Sequence, residues 1–314
     1  MQANQSSPLV SVVRASATTI VADYARLLAL AGITVAAELP GSALLVPLRA
    51  RRFPFPGAGA PPWQLEGVAR ALRAAGVMTL YALLPAPPDD LYGYAPVATA
   101  LGITRVTHVP APDRALLVTI LVPCRVEYGD ALFGAMHGME RLSTSDAIGF
   151  RRVDGPRLAV MDATTISDGR DRLADRAEVR GLLFASYDPL ALDTVARAWF
   201  GSGPPHATTA PSVAQRYAGG IAGRRDPVLL GDTDALEEPW SVTPPYHGAL
   251  PGRAGNTTTA AVLQAYQRLL RVRARRFARW TAADETTLTS WLRHTAWGRL
   301  FRSYQARAVA RWRE

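Results

Sequence analysis

The sequence predicts an α/β fold: a mostly parallel sheet flanked by helices, with a basic helical extension at the carboxyl end. Three observations lead there. Apolar runs of strand length alternate with stretches of helical apolar spacing through roughly the first hundred residues. More β-rich runs follow, separated by Pro/Gly/Asp loops. Charge is also split, because residues 256–314 hold twelve arginines against Asp284, Glu285 and Glu314 and so carry the whole net charge of +9. The chain is therefore divided into an α/β body, 1–255, and an Arg/Trp-rich helical hairpin, 256–314.

The elements follow in order. Residues 10–14 are β-rich, 20–31 have helical apolar spacing and end at Gly32, and 33–39 are aliphatic and β-branched. Residues 43–48 read as a buried strand, followed by Arg49, Arg51, Arg52 and a Pro/Gly loop. Residues 64–75 form a helix with Gly76 as its carboxyl cap, and 77–84 a strand. A short helix is expected at 95–101, strands at 106–109 and 116–122, and a helix at 130–142. Residues 157–161 make a strand ending at Asp162, and 163–180 a polar loop with a short helix. Gly181–Ser186 is a strand leading into the turn and helix that end at Gly201. A helix at 213–219 and a strand at 227–230 close the body.

Composition limits the function classes. The chain is 48% hydrophobic and only 19% charged, which excludes a disordered chain and gives 314 residues ample apolar surface for a core. All 35 basic residues are arginine. The single cysteine, Cys124, rules out an internal disulfide, a zinc cluster and a cysteine-ligated iron–sulfur cluster, and a cytoplasmic location is the default expectation. The first ten residues lack a basic stretch ahead of an apolar core, so no secretory leader is expected. No run of about 18 apolar residues suggests a membrane span.

The stretch LLFASYDPLALDTVARAWFG, 182–201, has two aspartates in apolar company. Asp188 occupies a helix N-cap position, with Pro189 following where a missing N–H costs nothing. Asp193 is spaced to pair with Arg197 at i,i+4. Asp162 has neither role. In parallel sheets ligands sit beyond the carboxyl ends of strands. Asp162 and Asp188 both follow apolar strands, which makes them candidate catalytic or Mg²⁺-binding acids. Arg49 and Arg125 also follow strands and suit an anionic substrate, with Asp193 lining the same crevice. Glu127 can neutralise Arg125 instead. Cys124 reads as a buried hydrophobe, and His137 and His206 as loop residues. No iron–sulfur centre or structural zinc is expected, no residue is assigned as a metal ligand, and no cofactor is specified.

RLAVMDAT (157–164), a loop with Gly169, and GLLFASYDPLALDTVARAWFG (181–201) resemble the signature of the family named domain of unknown function 362. VVRA (12–15), ALLVP (43–47), VTILVP (118–123) and PSVAQRYAGGIAGRRDPVLLGD (211–232) fall in that family's order. The resemblance implies the α/β body. It also implies a basic, polar cluster that this chain lacks, since VPCRVEY places Cys124, Val126 and Tyr128 where the family has Lys, Lys and His. Family members often carry an iron–sulfur segment, for which this chain has no cysteines.

The tail is the most distinctive region. Two helices are expected, over 258–280 and 287–312, with Thr281 capping the second. Four of the seven tryptophans lie here among arginines. Three occupants fit that pattern: the α/β body, packed under the aromatic stripe; an anionic membrane surface or a protein partner; and nucleic acid, the least favoured. Two functions stay open. One is an enzyme or small-ligand binder working in a strand-end crevice, with a small anionic ligand. The other is a catalytically degenerate scaffold acting through interaction, cytoplasmic or peripheral to the membrane.

Overall fold

Eight strands pair into one mixed sheet in the computed structural model, which describes residues 7–34, 39–47, 57, 59–84, 90, 92–106, 115–123, 155–167, 177–199, 226–237 and 282–311. They are β1 (Leu9–Arg14), β2 (Ser42–Pro47), β3 (Thr79–Leu83), β4 (Thr104–Val106), β5 (Leu116–Leu121), β6 (Arg157–Ser167), β7 (Ala177–Ser186) and β8 (Val228–Gly231). Their order is β4-β3-β2-β5-β6-β7-β1-β8. β7 runs antiparallel to β6 and β1, and the other pairings are parallel. The chain has the α/β fold that its alternating runs predict.

Among the described residues six α-helices accompany these strands: α1 (Ile20–Leu30), α2 (Pro62–Ala74), α3 (Tyr94–Ala100), α4 (Pro189–Trp199), α5 (Ala282–His294) and α6 (Ala296–Arg311). α2 shows why the sequence folds as it does. Pro61 is extended and Pro62 takes the first helical position, where no N–H is needed. At the other end Gly76 adopts φ +95°. Its N–H donates to Arg73 O at 2.9 Å and the Val77 N–H to Leu72 O at 3.0 Å, closing a Schellman turn.

Side chains alternate between the two faces of the sheet and build two large apolar clusters and a small one of Leu44, Val46, Ala115 and Leu117. Val13, Leu158, Val160, Leu183 and Ala185 face α1, α2, α3, α5 and α6. Val10, Val12, Met161, Ala163 and Phe184 face α4, whose Leu192, Ala196 and Trp199 fill that side.

Three expectations are corrected. Residues 163–167 and 177–180 are strand, not loop: β6 continues to Ser167 and β7 starts at Ala177, while 168–176 lie outside the described residues. The threonines that made this stretch look polar are β-branched, and Thr164 and Thr165 are buried in the sheet. The second tail helix divides at Thr295. Its hydroxyl donates to Trp291 O and accepts from the Gly298 N–H, each at 2.8 Å, so it ends α5 and caps α6 together. Ile33 and Thr34 are not in a strand. The expected helices at 130–142, 213–219 and 258–280 and the Thr281 cap lie outside the described residues, as does the rest of the 106–109 strand.

Candidate functional site

The parallel ladder between β5 and β6 ends at the pair Leu121 and Met161, yet β6 runs on to Ser167. Asp162 is the first β6 residue past that step. It therefore lies at the carboxyl edge of the parallel strands, although it sits within β6 rather than after it. Its side chain points to the α1/α2 face and is 1% exposed. Two reasons set that position. β6 alternates, with Met161 and Ala163 in the opposite core, and α1 and α2 bring polar ring atoms over this face.

Four donors converge on the carboxylate. Tyr24 Oη donates to Oδ2 at 2.7 Å and Trp63 Nε1 to the same oxygen at 2.8 Å. The Thr164 backbone N–H donates to Oδ1 at 2.8 Å, and the Thr164 hydroxyl donates there too. A carboxylate has about four acceptor positions, so all are taken. Burial raises the Asp162 pKa above the ordinary aspartate value, opposed by the hydrogen bonds from Thr164, Tyr24 and Trp63. The Tyr24 phenol is pushed well above its usual value, chiefly by burial and then by the adjacent Asp162 charge. Among the described residues no arginine pairs with Asp162.

Close approach of α1 and α2 makes this arrangement fit. A Cβ at Gly67 on α2 would overlap the Tyr24 ring, so the glycine lets the tyrosine lie flat against the helix and reach Asp162. One turn earlier Gln64 Nε2 donates to Leu121 O at 3.1 Å and Val160 O at 3.0 Å, fastening α2 over the step between β5 and β6.

A small cavity of about 20 Å³ opens beside Asp162. Its floor is Asp162, Thr164 and Thr165; Val122, Pro61 and Gly59 form one side, and Trp63, Tyr92, Trp291 and Phe301 supply rings. The strand register shifts between Ala163 and Thr165. Ala163 and Ile166, three apart, both join the opposite core, while Thr164 and Thr165 between them both line the cavity. Thr165 is 4% exposed and Trp291 6% exposed. The Thr165 Oγ1 and the Trp291 Nε1 are buried without a hydrogen-bond partner among the described residues. Buried polar atoms are rarely left unpaired, so both mark the wall as a place for a polar group.

Trp291 and Phe301 come from the C-terminal helices, which pack on the body. Trp291, Trp297, Phe301 and Tyr304 are buried in the same core as α1 and α2. Trp63 meets Trp297 at 5.5 Å between ring centroids and Phe301 edge-on at 6.1 Å. Tyr304 Oη donates to Glu66 Oε2 on α2 at 2.7 Å. The aromatic stripe of the tail therefore meets the body rather than solvent, and it completes the site. No described helix is long and apolar enough to cross a membrane.

The other expected site residues do not gather here. Because β7 is antiparallel, its last residue Ser186 pairs with Ala159 near the amino end of β6. Asp188 thus lies at the sheet edge opposite to that of Asp162, and the expectation that both follow carboxyl ends of parallel strands is corrected. Asp188 Oδ1 accepts from the Ala191 N–H at 3.1 Å, so it caps α4. Asp193 is 1% exposed on α4, across the sheet from Asp162; the Arg197 side chain lies outside the described residues. Arg49 and Arg125, with Cys124, Glu127, His137 and His206, also lie outside them. Among the described residues no group of three or more His, Cys, Asp or Glu side chains converges to hold a metal ion. Tyr24, Trp63, Thr164 and Thr165 were invisible as site residues in the sequence, since no local motif links them.

No protein-family model, no curated protein and no solved structure matches this chain.

Proposed function

We propose that this chain binds a small organic molecule at the mouth of the cavity between the end of β5, the start of α2 and the C-terminal helices, with one small polar group of it entering. The observation that carries this reading is a pair of atoms without a partner among the described residues, Thr165 Oγ1 and Trp291 Nε1, on two residues that line the cavity beside the buried carboxylate of Asp162. Ligand sites are concave and largely apolar, with a few convergent polar groups. The place also fits: β2 and β5 are neighbours whose carboxyl ends meet at this edge, with the chain going on to β3 and β4 on one side and to β6 on the other. Arg49 and Arg125 follow β2 and β5 in sequence.

Asp162 serves this site as a positioning group. With every acceptor position filled by protein donors, the carboxylate orients Trp63 and the Thr164–Thr165 segment instead of taking a proton from a ligand. Binding is thus the function this geometry supports, with chemistry left to whatever the ligand brings. Thermal denaturation across a panel of small neutral, cationic and anionic compounds tests the reading. At least one compound should raise the Tm in a concentration-dependent way. Thr165→Val and Trp291→Phe should both reduce that shift. A panel with no shift, or shifts indifferent to both substitutions, would refute the site.

A further inference from the structure

We infer that the outer face of the C-terminal helix pair binds double-stranded nucleic acid through its phosphates, whatever the base sequence. This surface is separate from the cavity and stands without it. α5 and α6 are two-sided. Trp291, Trp297, Phe301 and Tyr304 are buried, and Leu288, Leu292 and Leu300 pack against the same core. Arg293, His294, Arg299 and Arg302 are exposed. The sequence sustains the sign: residues 286–313 contain no aspartate or glutamate, and Arg307, Arg311 and Arg313 follow in the same stretch.

Local helix chemistry accounts for only part of this charge. Arg293 and His294 lie in the last turn of α5, where cations suit the helix dipole. Arg299 and Arg302 lie instead in the first half of α6, whose first turn holds no acid to offset the positive end of its dipole. They are three positions apart, hence neighbours on one helix face, and like charges so placed repel. A helix that keeps two cations against its own preferences is relieved by an outside anion that draws both.

The face selects among anionic partners. A helix lying on a membrane buries its apolar side among the lipids, and here that side meets the body. Protein interfaces close around an apolar, charge-poor centre. Among the described residues no exposed large hydrophobic lies on α5 or α6. Single strands are gripped by bases stacked on open rings, whereas the described Trp, Tyr and Phe rings of these helices are buried. A duplex needs none of these. Its backbone presents a regular row of phosphates, and guanidinium forks match phosphate oxygens in pairs. The net charge of +9 draws such a polyanion to the chain.

Fluorescence anisotropy of the full chain with a labelled DNA duplex, read at several salt concentrations, tests this. The slope of log K against log salt should be about −2.7 or steeper, from roughly 0.9 for each phosphate met by Arg293, Arg299 and Arg302. Affinity then falls about fortyfold between roughly 50 and 200 mM salt. Arg299→Ala combined with Arg302→Ala should flatten the slope by about 1.8. Arg14→Ala combined with Arg26→Ala removes the same charge from arginines paired with Asp234 and Asp232, and should leave the slope unchanged. No flattening by the α6 pair, or equal flattening by both pairs, overturns the site, since net charge alone would then explain the binding. Tighter binding to phosphatidylserine vesicles, or to a single strand of the same length, overturns the choice of partner. Those two comparisons use the wild-type chain, so they stand even where a variant fails to fold. A duplex that stays unbound at low salt overturns the proposal outright.

Discussion

Asp162→Asn is the sharpest test of how the site is built. The carboxylate accepts from Tyr24, Trp63 and Thr164, the last through both its backbone and its hydroxyl. An asparagine amide offers one oxygen, so two of the four donors face an NH₂ group instead. In either orientation one of these two is a hydroxyl, which can turn and accept. The other is an N–H, from Thr164 or from Trp63, which cannot. One orphaned buried donor costs about 1–3 kcal/mol, and the surviving bonds lose their charge assistance. Removing a buried charge gives part of that back. The net loss should be about 2–3 kcal/mol, a large share of the ~5–15 kcal/mol that typically holds a domain together. Equilibrium urea denaturation reads it as a lower midpoint at unchanged slope. The pH dependence adds a sign. Burial raises the folded-state pKa of Asp162 above the ordinary value of about 3.9. The folded state then holds this proton more firmly, so the group's contribution is full below the ordinary value and is lost as pH rises through the raised one. The lead of wild type over Asp162→Asn should therefore shrink with rising pH across that window. Asp232, whose pKa the Arg26 hydrogen bond lowers, is present in both proteins and cancels. A variant as stable as wild type, or a lead that grows with pH, would refute the reasoning.

Asp188→Ala should cost about 1 kcal/mol through loss of the Ala191 cap and leave ligand binding untouched, because Asp188 lies at the other edge of the sheet; titrating both proteins with the same ligand separates the effects. Gly67→Ala should destabilise the chain even though alanine is the better helix former by about 1 kcal/mol, since its Cβ displaces the Tyr24 ring from Asp162. A stabilised Gly67→Ala variant in urea denaturation would show that Tyr24 is not fixed there. Trp297→Ala removes a ring buried against Trp63 and should cost about 3–5 kcal/mol. Truncation before residue 282 should uncover the same apolar face and drive aggregation, visible by light scattering; a soluble, monomeric truncated chain would mean that the face is closed by other means.

The fold was largely legible because its signals are local. Alternating apolar runs, the glycine closing α2 and the Asp188–Pro189 cap each act within a few residues. Errors fell where one residue type serves two ends. Threonine is polar by composition and β-branched by shape, and in β6 shape won because Thr164 and Thr165 found buried places. Direction was the other blind point. Nothing in GLLFAS reveals that β7 runs antiparallel, yet that single fact sends Asp188 to the edge opposite Asp162.

The candidate site was legible only in its anchor. Asp162 stood out because neither a cap nor a helical partner explained it, and its partners prove to be distant in sequence: Tyr24 on α1 and Trp63 on α2. The same holds for the tail. Trp291 and Phe301 were conspicuous as an aromatic stripe, but a stripe alone does not say whether body, bilayer or partner covers it. What decides is a complementary surface, and Trp63 provides it by presenting one edge to Asp162 through Nε1 while its ring meets Trp297, Phe301 and Tyr304. One indole thereby ties the buried charge to the C-terminal helices. A shift of those helices must move the cavity wall and the Asp162 hydrogen bonds together, so ligand binding and docking of the tail should report on each other: ligand should protect α5 and α6 amides from hydrogen exchange, and an unchanged exchange pattern at saturation would separate the two.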